Sequence, residues 1–180
     1  MKWWYNIQRY FYRKALNEAL RQTKELRSII NLPDAQTIGI LYDSSDADND
    51  ILITRFAEQL KRDGKQVEIL GFINDNKTDH KADIKVMNTA HISWCLVPVH
   101  ETALDFARKR FDLLLCCFTR EILPLEYIAA ISRARWRVGV YDERKTALYD
   151  FMINIGGRRD LSYLLSIITS YLNKIHYDAA

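Results

Sequence analysis

Residues 111–141, FDLLLCCFTREILPLEYIAAISRARWRVGVY, decide the fold. The run 111–117 is short, apolar at its centre and followed at once by polar residues, which predicts a buried strand. Pro124, well placed in the first turn of a helix, opens a helical stretch over 124–133. Residues 137–141 (RVGVY) make a second buried strand. Strand, helix and strand at this spacing form a βαβ unit, in which the two strands lie parallel and the helix covers one face.

The same alternation extends in both directions. Residues 36–42 (QTIGILY) and 66–72 (QVEILGF) predict strands, 84–88 a short edge strand and 150–155 (DFMINI) a last one. Between them lie helices over 49–62, with the stripe Ile51, Leu52, Phe56 and Leu60, and over 101–108. Asp160 caps a closing helix over 161–175 that turns Leu164, Leu165, Ile168, Tyr171, Leu172 and Ile175 inward. The segment 89–99 carries Ile92, Trp94, Leu96, Val97 and Val99, which call for partial burial, while Pro98 forbids a long strand. The expected architecture is a three-layer α/β domain, Rossmann-like or flavodoxin-like, with a mostly parallel sheet of five or six strands.

A long N-terminal helix is added to it. Residues 2–30 keep the helical period, with Trp4, Ile7, Phe11, Ala15, Ala19, Leu26 and Ile30 near one stripe, and Asn31-Leu32-Pro33 ends it. This places a boundary between residues 1–33 and an α/β domain of residues 34–180. Charge follows the same division. The whole chain carries +3, but seven cations against Glu18 and Glu25 give residues 1–30 a net +5, and the rest is close to neutral. The first twelve residues also hold Trp3, Trp4, Tyr5, Tyr10, Phe11 and Tyr12, more aromatic surface than one stripe can bury.

Composition excludes several classes. At 48% hydrophobic and 27% charged residues the chain reads as globular. It has no run of ~18 apolar residues able to span a membrane and no secretory leader. Cys95, Cys116 and Cys117 are an odd number, and the adjacent pair lies on a predicted buried strand with side chains on opposite faces. They read as core thiols of a reducing compartment, the cytoplasm.

No established catalytic pattern emerges. Asp43, Ser44, Ser45 and Asp46 follow the first strand, at the sheet edge where α/β folds bind ligands, and serve either as a ligand edge or as a helix cap. Gly156-Gly157-Arg158-Arg159 suits a turn with positive φ, or the cradle of a phosphate. His80, His91, His100 and His176 lack zinc-ligand spacing, so no metal or cofactor is expected. Arg133, Arg135 and Arg137 around Trp136 read as solvated cations at a helix end.

The blocks TIGILYD, KQVEILGF, FDLLL, PLEYIAAISRA and RVGVYD, with a Trp-containing loop between, resemble a family of small uncharacterised Bacteroidetes proteins with a domain of unknown function. That resemblance spans nearly the whole chain and implies no activity. Residues 111–142 also resemble, at the level of fold, the N-terminal half of heptosyltransferase-type glycosyltransferases. These 180 residues leave no room for their second α/β domain and show no Gly-rich opening turn, so activity is not expected to carry over.

The leading expectation is a non-enzymatic cytoplasmic binding or adaptor protein. Its N-terminal helix, through Trp3, Trp4, Tyr5, Arg9, Arg13 and Lys14, would dock onto a protein, a ribonucleoprotein or the inner face of the membrane. The alternative is a small nucleotide- or sugar-phosphate-binding enzyme using the sheet edge at Asp43–Asp46. In the plainest case the helix simply packs on its own domain.

Overall fold

The computed structural model describes residues 2–23, 27–75 and 84–175. Leu26, His80 and His176, and most of the polar loop 74–81, lie outside those residues.

Six strands form one parallel sheet: β1 (Thr37–Asp43), β2 (Gln66–Phe72), β3 (Lys85–Met87), β4 (Leu113–Cys117), β5 (Trp136–Val140) and β6 (Phe151–Ile153). Their order is β3-β2-β1-β4-β5-β6. The chain runs outward from β1 to one edge, crosses back, and runs outward again from β4, so β1 and β4 meet at the point where strand order reverses. This is the doubly wound arrangement of the Rossmann class. All of β4 is buried, as a central strand covered on both faces must be.

Two apolar layers cover the sheet. On one face α2 (Ala47–Arg62) and α5 (Leu161–Lys174) bury Ile53, Ala57, Leu60, Leu164 and Ile168 against Ile38, Ile40, Leu113 and Leu115. On the other, α3 (Glu101–Arg108) and α4 (Leu123–Ile131) bury Phe106, Leu125 and Ile128 against Leu41, Leu70 and Leu114. Cys116 belongs to the second layer and Cys117 to the first, as alternation along a strand requires. Burial pushes both thiols up from their ordinary value.

Several expectations need correction. The N-terminal helix, α1, spans Lys2–Gln22 rather than continuing to residue 30. Residues 27–32 instead cross the end of the sheet, where Ser28 N donates to Arg135 O at 3.2 Å and Leu32 N to Leu172 O at 3.0 Å. The buried face of α2 is Asp50, Ile53, Ala57 and Leu60, while Ile51 is exposed. Tyr171 of α5 is likewise exposed, as are Trp94 and Val99. Arg137 is not a solvated cation: it is buried on β5, with Nε and Nη2 on Asp150 at 3.1 and 3.0 Å.

The inner face of α1 is the expected one only in part. Trp4 and Phe11 face out, whereas Tyr12 and Ala19 are buried, with Leu16 and Leu20 beside Ala19 against the α3–α4 layer. The Tyr12 hydroxyl donates to Leu123 O at 2.8 Å, which lets a tyrosine occupy the inner face.

Candidate functional site

β1 delivers Asp43 to the reversal point. Its Oδ1 accepts Ser45 N at 3.1 Å and its Oδ2 accepts Arg120 Nε at 2.6 Å. Asn49 Nδ2 donates to the Asp43 carbonyl at 3.1 Å and so closes the loop. Ser44 turns the other way: its hydroxyl donates to buried Asp50 Oδ1 at 2.6 Å, where the Tyr42 hydroxyl also donates at 2.8 Å. Burial is the main reason the Tyr42 phenol is raised above its ordinary value, with Asp50 adding to it.

Asp46 caps α2 by accepting Asp48 N at 3.0 Å. In dinucleotide-binding folds a Gly-rich turn at this place offers bare amides to a pyrophosphate. Here a carboxylate fills the position, and Asp43 and Asp48 add like charge, so phosphate is repelled from the start of α2. Among the described residues no three His, Cys, Asp or Glu side chains gather closely enough to hold a metal ion.

Three neighbouring cavities of about 250, 370 and 280 Å³ follow this edge, and Arg120 lines all of them. The first is walled by Tyr5, Ile92, Leu96 and Leu123. The second is polar, with Asp43, Ser45, Asp46, Asn49, Thr119 and Arg159. The third reaches Tyr141, Arg144 and Lys145 beyond β5. Of the four expected edge residues, Asp43, Ser45 and Asp46 line the cleft and Ser44 does not. Most of the cations there are neutralised. Arg120 pairs with Asp43, Arg144 with Asp142, and Lys145 with buried Glu126 at 2.7 Å. Burial raises Glu126 despite Lys145, whose charge and hydrogen bond lower it.

A second feature adjoins the cleft. Trp3, Trp4 and Tyr5 are 72%, 52% and 49% exposed, and Trp94, 54% exposed, joins them from the loop before α3. Ring centroids lie 6.4 Å apart for Trp3–Trp4, 6.3 Å for Trp4–Trp94 and 5.1 Å for Phe11–Trp94. Gln8 Nε2 donates to Trp94 O at 2.8 Å and fastens helix to loop.

The loop itself is braced. Ile92 bridges Pro98, Ser93 N donates to Val97 O at 2.8 Å, and Leu96 sits at φ 65°, a left-handed conformation rare for leucine. His91 and His100 stack at its base, 4.1 Å between centroids. Strain of this kind persists only where the surroundings hold it, and Trp94 stands exposed on the same braced loop. No local pattern marked Trp94, because its ring partners come from the start of the chain.

The basic residues of α1 divide. Arg13 and Lys14 are exposed, with Lys14 Nζ 4.9 Å from the Tyr10 ring centre. Arg9 is instead committed to Glu121 at 2.7 Å, which raises the guanidinium further above its ordinary value.

Fold and site together define an open, doubly wound parallel α/β protein with a polar cleft at its reversal point and an aromatic surface beside it. The chain belongs to the family of unknown function DUF6913, whose profile matches residues 8–175. No curated protein matches the sequence significantly. Among the described residues no helix is long and apolar enough to cross a membrane.

Proposed function

We propose that this is a non-enzymatic binding protein of the cytoplasm that docks onto a protein partner through the aromatic face of α1 and Trp94. The observation that carries the reading is the contact of Trp94 with Trp4 and Phe11, which joins residues from distant parts of the chain into one exposed cluster. Large aromatics held together in water mark interaction sites, and they supply anchor residues of the type that dominates protein interfaces. In this reading α1 and Trp94 meet the partner and the rest of residues 34–180 is the scaffold.

Charge and ring geometry favour a protein over a nucleic acid or a lipid surface. Glu121 neutralises Arg9, which leaves Arg13 and Lys14 of the cations first assigned to contact. The rings tilt against one another by 40–65°, so they do not make the row of parallel faces on which successive bases stack. An enzymatic reading gains little from the cleft, where Asp43 and most of the cations are already paired.

The test replaces Trp3, Trp4 and Trp94 by alanine and compares proximity-labelled neighbours in cells with those of the parent chain. Partners lost from the triple variant, and shown to bind the purified parent directly, support the reading. Identical neighbour sets overturn it. So does tryptophan-dependent binding to anionic vesicles or to polyuridylate without any protein partner. Deleting residues 1–30 is a poorer test, because Tyr12, Ala19 and Ile30 are core residues.

A further inference from the structure

We propose that the polar cavity between the ends of β1 and β4 and the start of α5 is a binding site for a small monophosphorylated polyol. This inference is independent of the docking surface and rests on how charge is left over in the cleft. Arg159 makes no ion pair among the described residues, yet it lines this cavity. Arg120 directs Nε and Nη2 onto the same oxygen, Asp43 Oδ2, each at 2.6 Å. Its Nη1 has no hydrogen bond among the described residues, and its side chain is 54% exposed. Two arginines, one without an ion pair and one with Nη1 to spare, therefore line one volume of about 370 Å³.

Their meeting is built into the fold. Thr119 Oγ1 donates to the Arg159 carbonyl at 3.2 Å, which ties the segment before α5 to the loop after β4. Gly156 and Gly157, at φ 61° and 76°, double the chain back so that this segment can reach the loop. Neighbouring Arg158 is drawn away, 4.4 Å from the centre of the Tyr163 ring. Asp160 caps α5 by accepting Tyr163 N at 3.1 Å, so guanidinium groups and not the helix terminus would receive the anion.

The opposite wall sets the rest of the ligand. Ser45, Asp46 and Asn49 line it, and Asp46 uses Oδ1 on Asp48 N while its Oδ2 makes no hydrogen bond among the described residues. Carboxylate, amide and hydroxyl groups together accept and donate to hydroxyl groups, so they suit a polyol. The same carboxylate repels a second phosphate, which restricts the ligand to one. A phosphate at Arg120 and Arg159 and hydroxyls at Ser45, Asp46 and Asn49 satisfy both walls at once.

Isothermal titration of the full chain with ribose 5-phosphate, glucose 6-phosphate and glycerol 3-phosphate tests this, with ribose and inorganic phosphate as separate arms. At least one phosphorylated polyol is expected to bind with Kd below ~1 mM. Arg159→Gln, on an exposed residue, is expected to weaken it at least ~10-fold with no change in melting temperature. Ser45→Ala is expected to weaken the polyol phosphate and leave inorganic phosphate unchanged. Absence of binding by all three phosphorylated polyols overturns the proposal, as does undiminished binding by the Arg159 variant. Inorganic phosphate binding as tightly as the best polyol phosphate, or ribose binding as tightly, also overturns it.

Discussion

Arg9 holds Glu121 with both guanidinium nitrogens, Nη1 on Oε2 at 2.7 Å and Nη2 on Oε1 at 3.1 Å. One residue earlier, Arg120 reaches the opposite way to Asp43. A single loop after β4 therefore links the first helix to the first strand. The Arg9–Glu121 pair is only partly buried, and pairs of this kind contribute about 1 kcal/mol or less. Glu121→Gln is expected to leave global stability nearly unchanged while speeding amide exchange in the first three turns of α1. Unchanged exchange there would show that the pair does not hold the helix.

Tyr12 provides the stronger attachment. It is buried, and its hydroxyl donates to Leu123 O at the start of α4. Burial also raises the phenol well above its ordinary value, so the hydroxyl remains a donor across the working pH range. Tyr12→Phe is expected to cost about 0.5–1.5 kcal/mol in urea unfolding, one hydrogen bond. Tyr12→Ala is expected to cost about 3–5 kcal/mol, because it also opens a cavity under α1.

Gly139 on β5 exists for a ring. A Cβ built there meets the buried Tyr149 ring at 2.6 Å. Gly139→Ala is expected to destabilise by about 1–3 kcal/mol in thermal or denaturant unfolding, an overpacking cost. Adding Tyr149→Leu is expected to return part of that loss, which a double-mutant cycle reads directly.

Asp112 supplies a pH signature. Burial alone would raise its pKa, but the amides of Thr37 and Gln36, the Thr37 hydroxyl and Arg135 outweigh that and lower it below 3.8. The folded state then binds its proton more weakly than the unfolded chain does. The resulting stability is complete above pH 3.8 and is lost as pH falls through the lowered folded value. Asp112→Asn is expected to flatten that acid limb and to cost about 1–3 kcal/mol at neutral pH, through hydrogen bonds across the starts of β1 and β4. Unfolding midpoints measured from pH 2 to pH 7 check both effects, within the general range where carboxylates titrate.

Local pattern was enough for most of the elements and for two of the caps. The strands and their bracketing helices follow from apolar runs and spacing, and Asp46 and Asp160 cap the helices that their positions suggested. Pattern failed where a partner lies far along the chain. Residues 27–32 keep a helical period, yet their amides find Arg135 O and Leu172 O, bonds that no local window contains. Arg137 looked solvent-bound until Asp150 enclosed it. Hydrophobicity ranked Trp4 and Phe11 as inner residues of α1, whereas Tyr12 took that face because Leu123 could accept from its hydroxyl.

The sequence by itself determined the class of fold, because strand and helix periods are local and right-handed βαβ crossovers leave few ways to join them. It also located the polar edge at the end of the first strand and the excess of aromatic surface at the start of the chain. Only the tertiary structure decided which of those residues act together. It turned Ser44 inward to Asp50, joined Arg120 and Arg159 across one cavity, removed Arg9 from the exposed charge, and added Trp94 to the aromatic face. The physical reason is common to all four. Side-chain direction and charge neutralisation depend on neighbours in space, and those neighbours come from separate elements that only the packed sheet brings within a few ångströms.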